Sequence, residues 1–254
     1  MSRVICITGV TSGIGKAAAV LFASRGWKVI GTGRRKERLD ELHAELGASF
    51  LPLAFDVGER AAVHDSLSSL PDEFAAIDVL FANAGVSLAG KPLHEADLDD
   101  VDAMIRTNVS GVLYCCRAVI PGMIRRGHGH VVTTGSYSAT WPNPGTNVYA
   151  ASKAFVRLLT YDLKEDLVGT PIRTTCIIPS VTQTEFPLAR MHGDAARAAR
   201  HFENLDPIQP SDIAETLWWV VNVPERITVN EIRLSPTRQT YGASHLNREP
   251  FTTV

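Results

Sequence analysis

The chain reads as an α/β protein, one layered domain of helices packed on a parallel β-sheet. Three observations predict this. Strand-like and helix-like segments alternate from one end to the other, the pattern of βα units. The first apolar run, Val4-Ile5-Cys6-Ile7, is continuous rather than alternating, as a parallel strand covered on both faces must be. That run leads straight into a glycine-rich turn that opens a helix. At 254 residues the length suits one large domain, spanning residues 1–254, without repeats or a linker.

Composition narrows the partners. A net charge of −2 without a basic block argues against nucleic acid. No apolar run is long enough to cross a membrane. Met1-Ser2-Arg3 enters the first strand without a signal-peptide cleavage pattern, so a cytoplasmic protein is expected. Cys6, Cys115, Cys116 and Cys176 fall inside predicted elements and form no CxxC, which predicts reduced, buried thiols.

The first predicted strand is Arg3 to Thr8. Its loop, Gly9-Val10-Thr11-Ser12-Gly13-Ile14-Gly15, permits a tight turn and a close approach of backbone to a ligand. The helix that follows, through Arg25, offers free N–H groups and a positive dipole end for a pyrophosphate. The alternative is a βα turn that binds nothing. A second strand, Lys28 to Thr32, ends in Gly33-Arg34-Arg35, before a helix from Lys36 to Leu46. An NAD site would place an acid here for the ribose 2′-hydroxyl. Two arginines stand there instead, and guanidinium suits a 2′-phosphate, so NADP(H) is expected over NAD(H). The alternative is a basic flank of a surface helix.

Ser49 to Phe55 is the third predicted strand, ending in Asp56-Val57, with a helix from about Arg60 to Leu70. Asp78 to Ala82 is the fourth, and the small residues of Asn83-Ala84-Gly85 leave room for a ring or ribose on the backbone. Asp97 to Arg126 reads as one helix interrupted at Asn108-Val109-Ser110-Gly111. Either a buried water holds a kink there or Gly111 serves packing. Gly127-His128-Gly129-His130 reads as a turn; its histidines lack carboxylate or cysteine partners, so no metal is expected. The fifth strand, Val131 to Thr134, ends in Gly135-Ser136-Tyr137-Ser138.

On the next helix, to about Leu167, Tyr149 and Lys153 are four apart and share a face. A free tyrosine has a pKa of about 10. A nearby cation favours the phenolate, making this a proton-transfer pair. The plainer reading is two side chains that snorkel from a half-buried helix. Arg173 to Ile178 is the sixth strand, closed by Pro179. Residues 180–206 are irregular and polar, with Arg190, His192 and Arg197, and such an insertion at a strand's carboxyl end predicts a substrate lid. Ser211 is the expected cap of a helix through Asn222, whose Trp218-Trp219 predicts packing or a subunit contact. Glu231 to Leu234 is the last strand, and 235–254 forms a tail with Arg238, Tyr241 and Arg248.

Together, Thr8-Gly9-x-x-x-Gly13-Ile14-Gly15, Asn83-Ala84-Gly85, Asn108, Ser136 and Tyr149-x-x-x-Lys153 resemble the short-chain dehydrogenase/reductase family over nearly the whole chain. The resemblance implies a single-domain Rossmann fold, a doubly wound parallel β-sheet flanked by helices, together with a homotetramer and the following roles. Tyr149 is the general acid in carbonyl reduction and the base in alcohol oxidation. Lys153 binds the nicotinamide ribose and lowers the Tyr149 pKa. Ser136 holds the substrate oxygen, and Asn108 holds a water that relays protons from Lys153. The cofactor is then expected to meet Gly9, Thr11, Ser12, Gly13, Ile14, Gly15, Arg34, Arg35, Asp56, Val57, Asn83, Ala84, Gly85, Tyr149, Lys153, Pro179, Thr182 and Thr184. The substrate is expected to meet Ser136, Ser138, Tyr149 and Arg190.

Ser180 and Thr182 depart from the family's Pro-Gly-x-Val-x-Thr, and a left-handed backbone at 180 would strain Ser. Within the family, Gly33 to Leu39, Lys153-Ala154-Phe155-Val156-Arg157 and Thr184-Glu185-Phe186 resemble bacterial NADP-dependent 3-hydroxy acid dehydrogenases and, nearby, sulfoacetaldehyde reductases. The expected substrate is a short alcohol or carbonyl with an anionic group. A cofactor-binding regulator without turnover is the alternative from another class.

Overall fold

Seven strands join in one parallel sheet, built outward in both directions from the first. The computed structural model describes residues 2–88, 90–141, 143–240 and 247–248. The strands are β1 (Val4–Thr8), β2 (Lys28–Gly33), β3 (Phe50–Ala54), β4 (Ile77–Ala82), β5 (Gly129–Thr134), β6 (Ile172–Pro179) and β7 (Glu231–Leu234). Their order is β3-β2-β1-β4-β5-β6-β7. Ile5 lies beside Val29 on one side and Val79 on the other. The chain therefore reverses direction across the sheet between β1 and β4, and such a reversal opens a crevice at the strands' carboxyl ends.

The helices are α1 (Gly13–Ser24), α2 (Lys36–Leu46), α3 (Arg60–Ser68), α4 (Leu98–Ile105), α5 (Gly111–Arg126), α6 (Asn147–Asp166), α7 (Phe186–Arg190), α8 (Ala195–Arg200) and α9 (Pro210–Asn222). Side chains of a strand alternate between its faces. Ile5 and Ile7 accordingly join Phe22 of α1 and Leu217 of α9 in one apolar layer. Val4 and Cys6 join Val112 and Cys115 of α5 and Val156 of α6 in the other. With both faces covered, β1 must be apolar throughout.

The interruption expected in the helix over Asp97 to Arg126 is a π-turn, Arg106–Ser110, whereas other stretches depart from the sequence-based expectations. Gly111 lies where a Cβ would come within 2.8 Å of Val57, so the packing reading of that glycine holds. Gly129 and His130 belong to β5 rather than to a turn. A Cβ on Gly129 would meet the Met123 side chain at 2.6 Å. His130 is buried, with Nε2 2.8 Å from Thr175 Oγ1. No group of histidines, cysteines or acids able to hold a metal occurs among the described residues.

Residues 180–206 are not irregular throughout, since α7 and α8 form there. The cap of α9 is Gln209 and not Ser211; its N–H donates to the Asp212 carboxylate at 2.8 Å. Trp218 packs edge-on against Phe22 and Trp27, whereas Trp219 is 54% exposed. Among the described residues, only His192 and Asn204 are non-glycines with positive φ, so Ser180 is not strained in that way. Its hydroxyl donates to Gln239. Tyr241 lies outside the described residues. No helix among them is long and apolar enough to cross a membrane.

Candidate active site

The residues expected at the site follow the carboxyl ends of successive strands. The loop after β1 is built by steric necessity. Gly9 has φ +76°, and a Cβ on Gly15 would sit 2.2 Å from the Gly9 carbonyl oxygen, where backbone cannot yield. The Asn83 amide braces this loop by donating to the Thr8 carbonyl at 3.0 Å. The N–H groups of Asn83 and Ala84 both donate to Thr8 Oγ1, at 3.0 and 2.9 Å. Thr8 thus ties the β1 and β4 loops together. Helix α1 starts at Gly13 without a side-chain cap from Ser12. Uncapped N–H groups under a loop whose Gly9 and Gly15 leave no room for a Cβ fit a pyrophosphate.

After β2 and β3 the site turns basic. Arg34 lies 3.5 Å from Asp56, whose other oxygen accepts from Gly58 N–H at 2.8 Å. Arg35 donates to Thr11 Oγ1 at 2.7 Å and to Ser12 Oγ at 3.0 Å. Arg38, not singled out from the sequence, points into the same cluster and donates to the Thr11 carbonyl at 3.2 Å. Its spacing of three from Arg35 on a helix start was the available signal. Guanidinium groups gathered at the end of β2 fit a ribose phosphate.

Ser136, Tyr149 and Lys153 converge from the end of β5 and one face of α6. The Tyr149 hydroxyl lies beside Ser136, whose side chain favours the phenolate. Ser136 Oγ also accepts from Ser138 N–H at 3.2 Å. Lys153 is 4% exposed and donates to the Thr134 carbonyl at 2.8 Å. Asn108, in the π-turn, is fully buried: its amide donates to the Val86 carbonyl at 2.8 Å and to Ser152 Oγ at 3.0 Å. Its side-chain oxygen accepts from Val86 N–H at 2.8 Å. A Cβ on Gly85 would lie 3.1 Å from Lys153 Nζ and 3.3 Å from Asn108 Oδ1, so that glycine admits both groups. Ser152, which completes the link from Asn108 to α6, was not foreseen.

Burial raises the Tyr149 pKa, and Ser136 and then Arg190 pull it down. The Lys153 ammonium is itself lowered to about 8 by burial. The ammonium is held by the Thr134 carbonyl, on the same face of α6 as Tyr149.

The segment after β6 reaches over this cluster. Pro179 ends β6, Thr182 Oγ1 donates to the Ser180 carbonyl at 3.0 Å, and Thr184 packs on Gly13. Phe186 sets its ring 5.5 Å from that of Tyr149. Arg190, at the end of α7, is half-buried and makes no ion pair among the described residues. It faces a polar cavity of about 520 Å³ shared with Asp97, Asp100, His192 and Arg197. His192 lies 3.3 Å from Asp100. Arg248 donates to the backbone carbonyls of His201 and Glu203, which commits it to this segment's own chain. A larger, mostly apolar groove of about 740 Å³ runs along α1 and α9, and none of Asn108, Ser136, Tyr149 and Lys153 lines it.

Residues 3–192 match the family model for short chain dehydrogenase. The NADP-dependent 3-hydroxy acid dehydrogenase YdfG of Escherichia coli strain K12 is 42% identical over 247 residues, covering 97% of this chain and 100% of that protein. Sulfoacetaldehyde reductase 2 of Chromohalobacter salexigens is 41% identical over 252 residues, covering 98% and 100%. A closed form of serine dehydrogenase complexed with NADP+ superposes with a TM-score of 0.93 at 41% identity, covering 97% of this chain and 100% of the other.

Proposed function

The chain belongs to the short chain dehydrogenase family, and from that premise we propose that it is an NADP(H)-dependent oxidoreductase interconverting alcohol and carbonyl on a short, acid-bearing substrate. The observation that carries this reading is the Tyr149 hydroxyl placed beside Ser136 and felt by Arg190, an arginine that makes no ion pair among the described residues. The nicotinamide cofactor supplies or accepts the hydride. Tyr149 gives its hydroxyl proton to the carbonyl oxygen in reduction and takes it back, as phenolate, in oxidation. Ser136 orients that hydroxyl and donates to the substrate oxygen as charge develops. Lys153 would hold the nicotinamide ribose and supply the positive charge that the phenolate requires. Asn108 holds the β4 loop against α6 and keeps the path to Lys153 open.

The lid, residues 180–206, selects the substrate. Lys153 is occupied at the ribose, so the anionic end needs another cation. Arg190 is that cation: it is felt by the Tyr149 hydroxyl, and its planar fork suits a carboxylate or a sulfonate. Arg190→Ala should raise KM for an acidic aldehyde by ~10-fold or more, about 1.4 kcal/mol, and leave a neutral aldehyde of similar length nearly unchanged. Following reduced-nicotinamide absorbance with both aldehydes decides it; an equal change in both would remove Arg190 from this role.

A 3-hydroxy acid or malonic semialdehyde-type substrate is the first reading. A sulfonate, as in sulfoacetaldehyde reduction to isethionate, is the second, favoured by a relative of that name at nearly the same identity. Malonic semialdehyde beside sulfoacetaldehyde in one assay separates them, and NADPH binding without turnover on either would instead support a regulator.

Arg34 and Arg35 read the 2′-phosphate. Replacing both by alanine should weaken NADPH by about 10- to 100-fold and NADH far less, each charge-assisted bond being worth roughly 1.5–3 kcal/mol before solvent screening. Titrating both cofactors measures this, and equal losses would exclude the role.

We also propose a cytoplasmic homotetramer. Leu113 of α5 and Phe155 and Leu158 of α6 are 39%, 39% and 60% exposed, an apolar face suited to a second subunit. Sedimentation as a monomer would refute the assembly.

A further inference from the structure

Glu185 stands between Thr184 and the lid helix α7, yet its carboxylate reaches back to the arginines at the adenosine end of the crevice. Both carboxylate oxygens accept from Arg38 Nη1 at 2.8 Å, and one accepts from Arg35 Nη1 at 3.1 Å. Those same arginines donate to Thr11 and Ser12 of the glycine loop. One carboxylate therefore joins three parts of the chain: the lid, the loop after β1 and the first turn of α2. The Arg38 guanidinium, with Arg35 second, holds the Glu185 carboxyl below the usual carboxylate range.

The contact does not exhaust the donors. A guanidinium carries five N–H bonds. Nε and Nη2 of Arg38 donate to nothing among the described residues, and Arg34 meets Asp56 at only 3.5 Å. Two positive charges against one carboxylate also leave the cluster cationic. Resting on the NADP(H) reading above, we propose that Glu185 is a positioning residue that fixes Arg35 and Arg38 for the cofactor's 2′-phosphate and, by the same contact, straps the lid to the adenosine end of the crevice. Cofactor choice and lid position thereby share one ion-pair cluster. The phosphate stiffens the two arginines that anchor the lid, whereas a cofactor without it leaves them as they are. The opposing possibility is that the carboxylate competes with the phosphate for the arginines, and it predicts the opposite sign.

The test is Glu185→Gln, which keeps the shape and removes the charge. Dissociation constants for NADPH and NADH are measured by fluorescence titration, and amide hydrogen exchange is followed across residues 186–200 of the unliganded protein. NADPH should weaken by about three- to tenfold and NADH by less than about twofold. The effect is modest because Arg35, Arg38 and Glu185 are 44%, 40% and 45% exposed. The loss should shrink as salt is raised, and the lid amides should exchange faster. Tighter or unchanged NADPH binding, or an equal loss for both cofactors, overturns the positioning role; unchanged lid exchange overturns the strap. A parent protein that binds NADPH no better than NADH would overturn the cofactor reading instead, and that result is distinct from any result on the variant.

Discussion

Tyr149→Phe should lower turnover by ~10²–10⁴-fold while NADPH binding stays within about twofold of the parent. The substitution removes one oxygen and keeps the ring that packs against Phe186 at 5.5 Å. What is lost is the hydroxyl proton beside Ser136. Burial raises the Tyr149 pKa, so in the unliganded protein the phenol is protonated at neutral pH. Reduction therefore starts from the correct form, whereas oxidation needs the phenolate. Oxidation by the parent should accordingly rise with pH across the neutral to alkaline range, and the variant should lose that rise. Steady-state rates in both directions, with NADPH titrated separately, test both points. Turnover within a few-fold of the parent would remove Tyr149 from the reaction.

Lys153→Met should abolish most turnover and yet leave the unliganded protein at least as stable. Lys153 is a buried cation held by one carbonyl, with no carboxylate among the described residues paired to it. Burial depresses its pKa from 10.5 to about 8. In the unfolded chain the amine keeps its proton up to about 10.4. Between these values the unfolded state binds more protons, so stability rises with pH there. Below about pH 8 the parent carries the full penalty, about 3 kcal/mol at 1.36 kcal/mol per unit. Methionine removes that penalty but leaves the Thr134 carbonyl without its donor, which costs about 1–3 kcal/mol. The sum is near zero or favourable at pH 7. The sharper signature lies in the pH dependence: the parent should gain on the variant from about pH 8 to 10.5. Thermal or urea unfolding at several pH values measures the difference, and parallel profiles would show that Lys153 is not held out of its usual range. A site that keeps such a cation unpaired trades stability for function.

How far the chain was legible depends on whether the determining partner was local. Lys36 to Leu46 and Glu231 to Leu234 formed with the expected bounds because period and breakers lie within those stretches. The interruption at Asn108 was visible because polar residues and a glycine break an apolar helix. By contrast, Gly129-His130 looks like a turn in isolation. It is strand because Met123 needs the space over Gly129 and Thr175 satisfies His130. Spacing on α6 brought Tyr149 and Lys153 to one face but said nothing of Thr134, which holds the ammonium. Arg38 and Glu185 lie 147 positions apart, so neither announces the other. Local pattern therefore yields elements and candidate chemistry, while the protonation and pairing of each group come from contacts across the sheet.

The four cysteines have a kinetic consequence. Cys6, Cys115, Cys116 and Cys176 are unpaired and buried, and burial raises the thiol pKa of each, to about 12 for Cys6 and Cys116. The thiolate is the species that attacks, so a folded molecule offers a labelling reagent almost nothing to react with. Cys6 and Cys176 sit in strands of the sheet and the other two on the helix beneath it. Reagent uptake thus becomes a clock: each labelled molecule records one occasion on which the layers came apart. Its rate reports opening of the parent and of the variants without any need for substrate or cofactor.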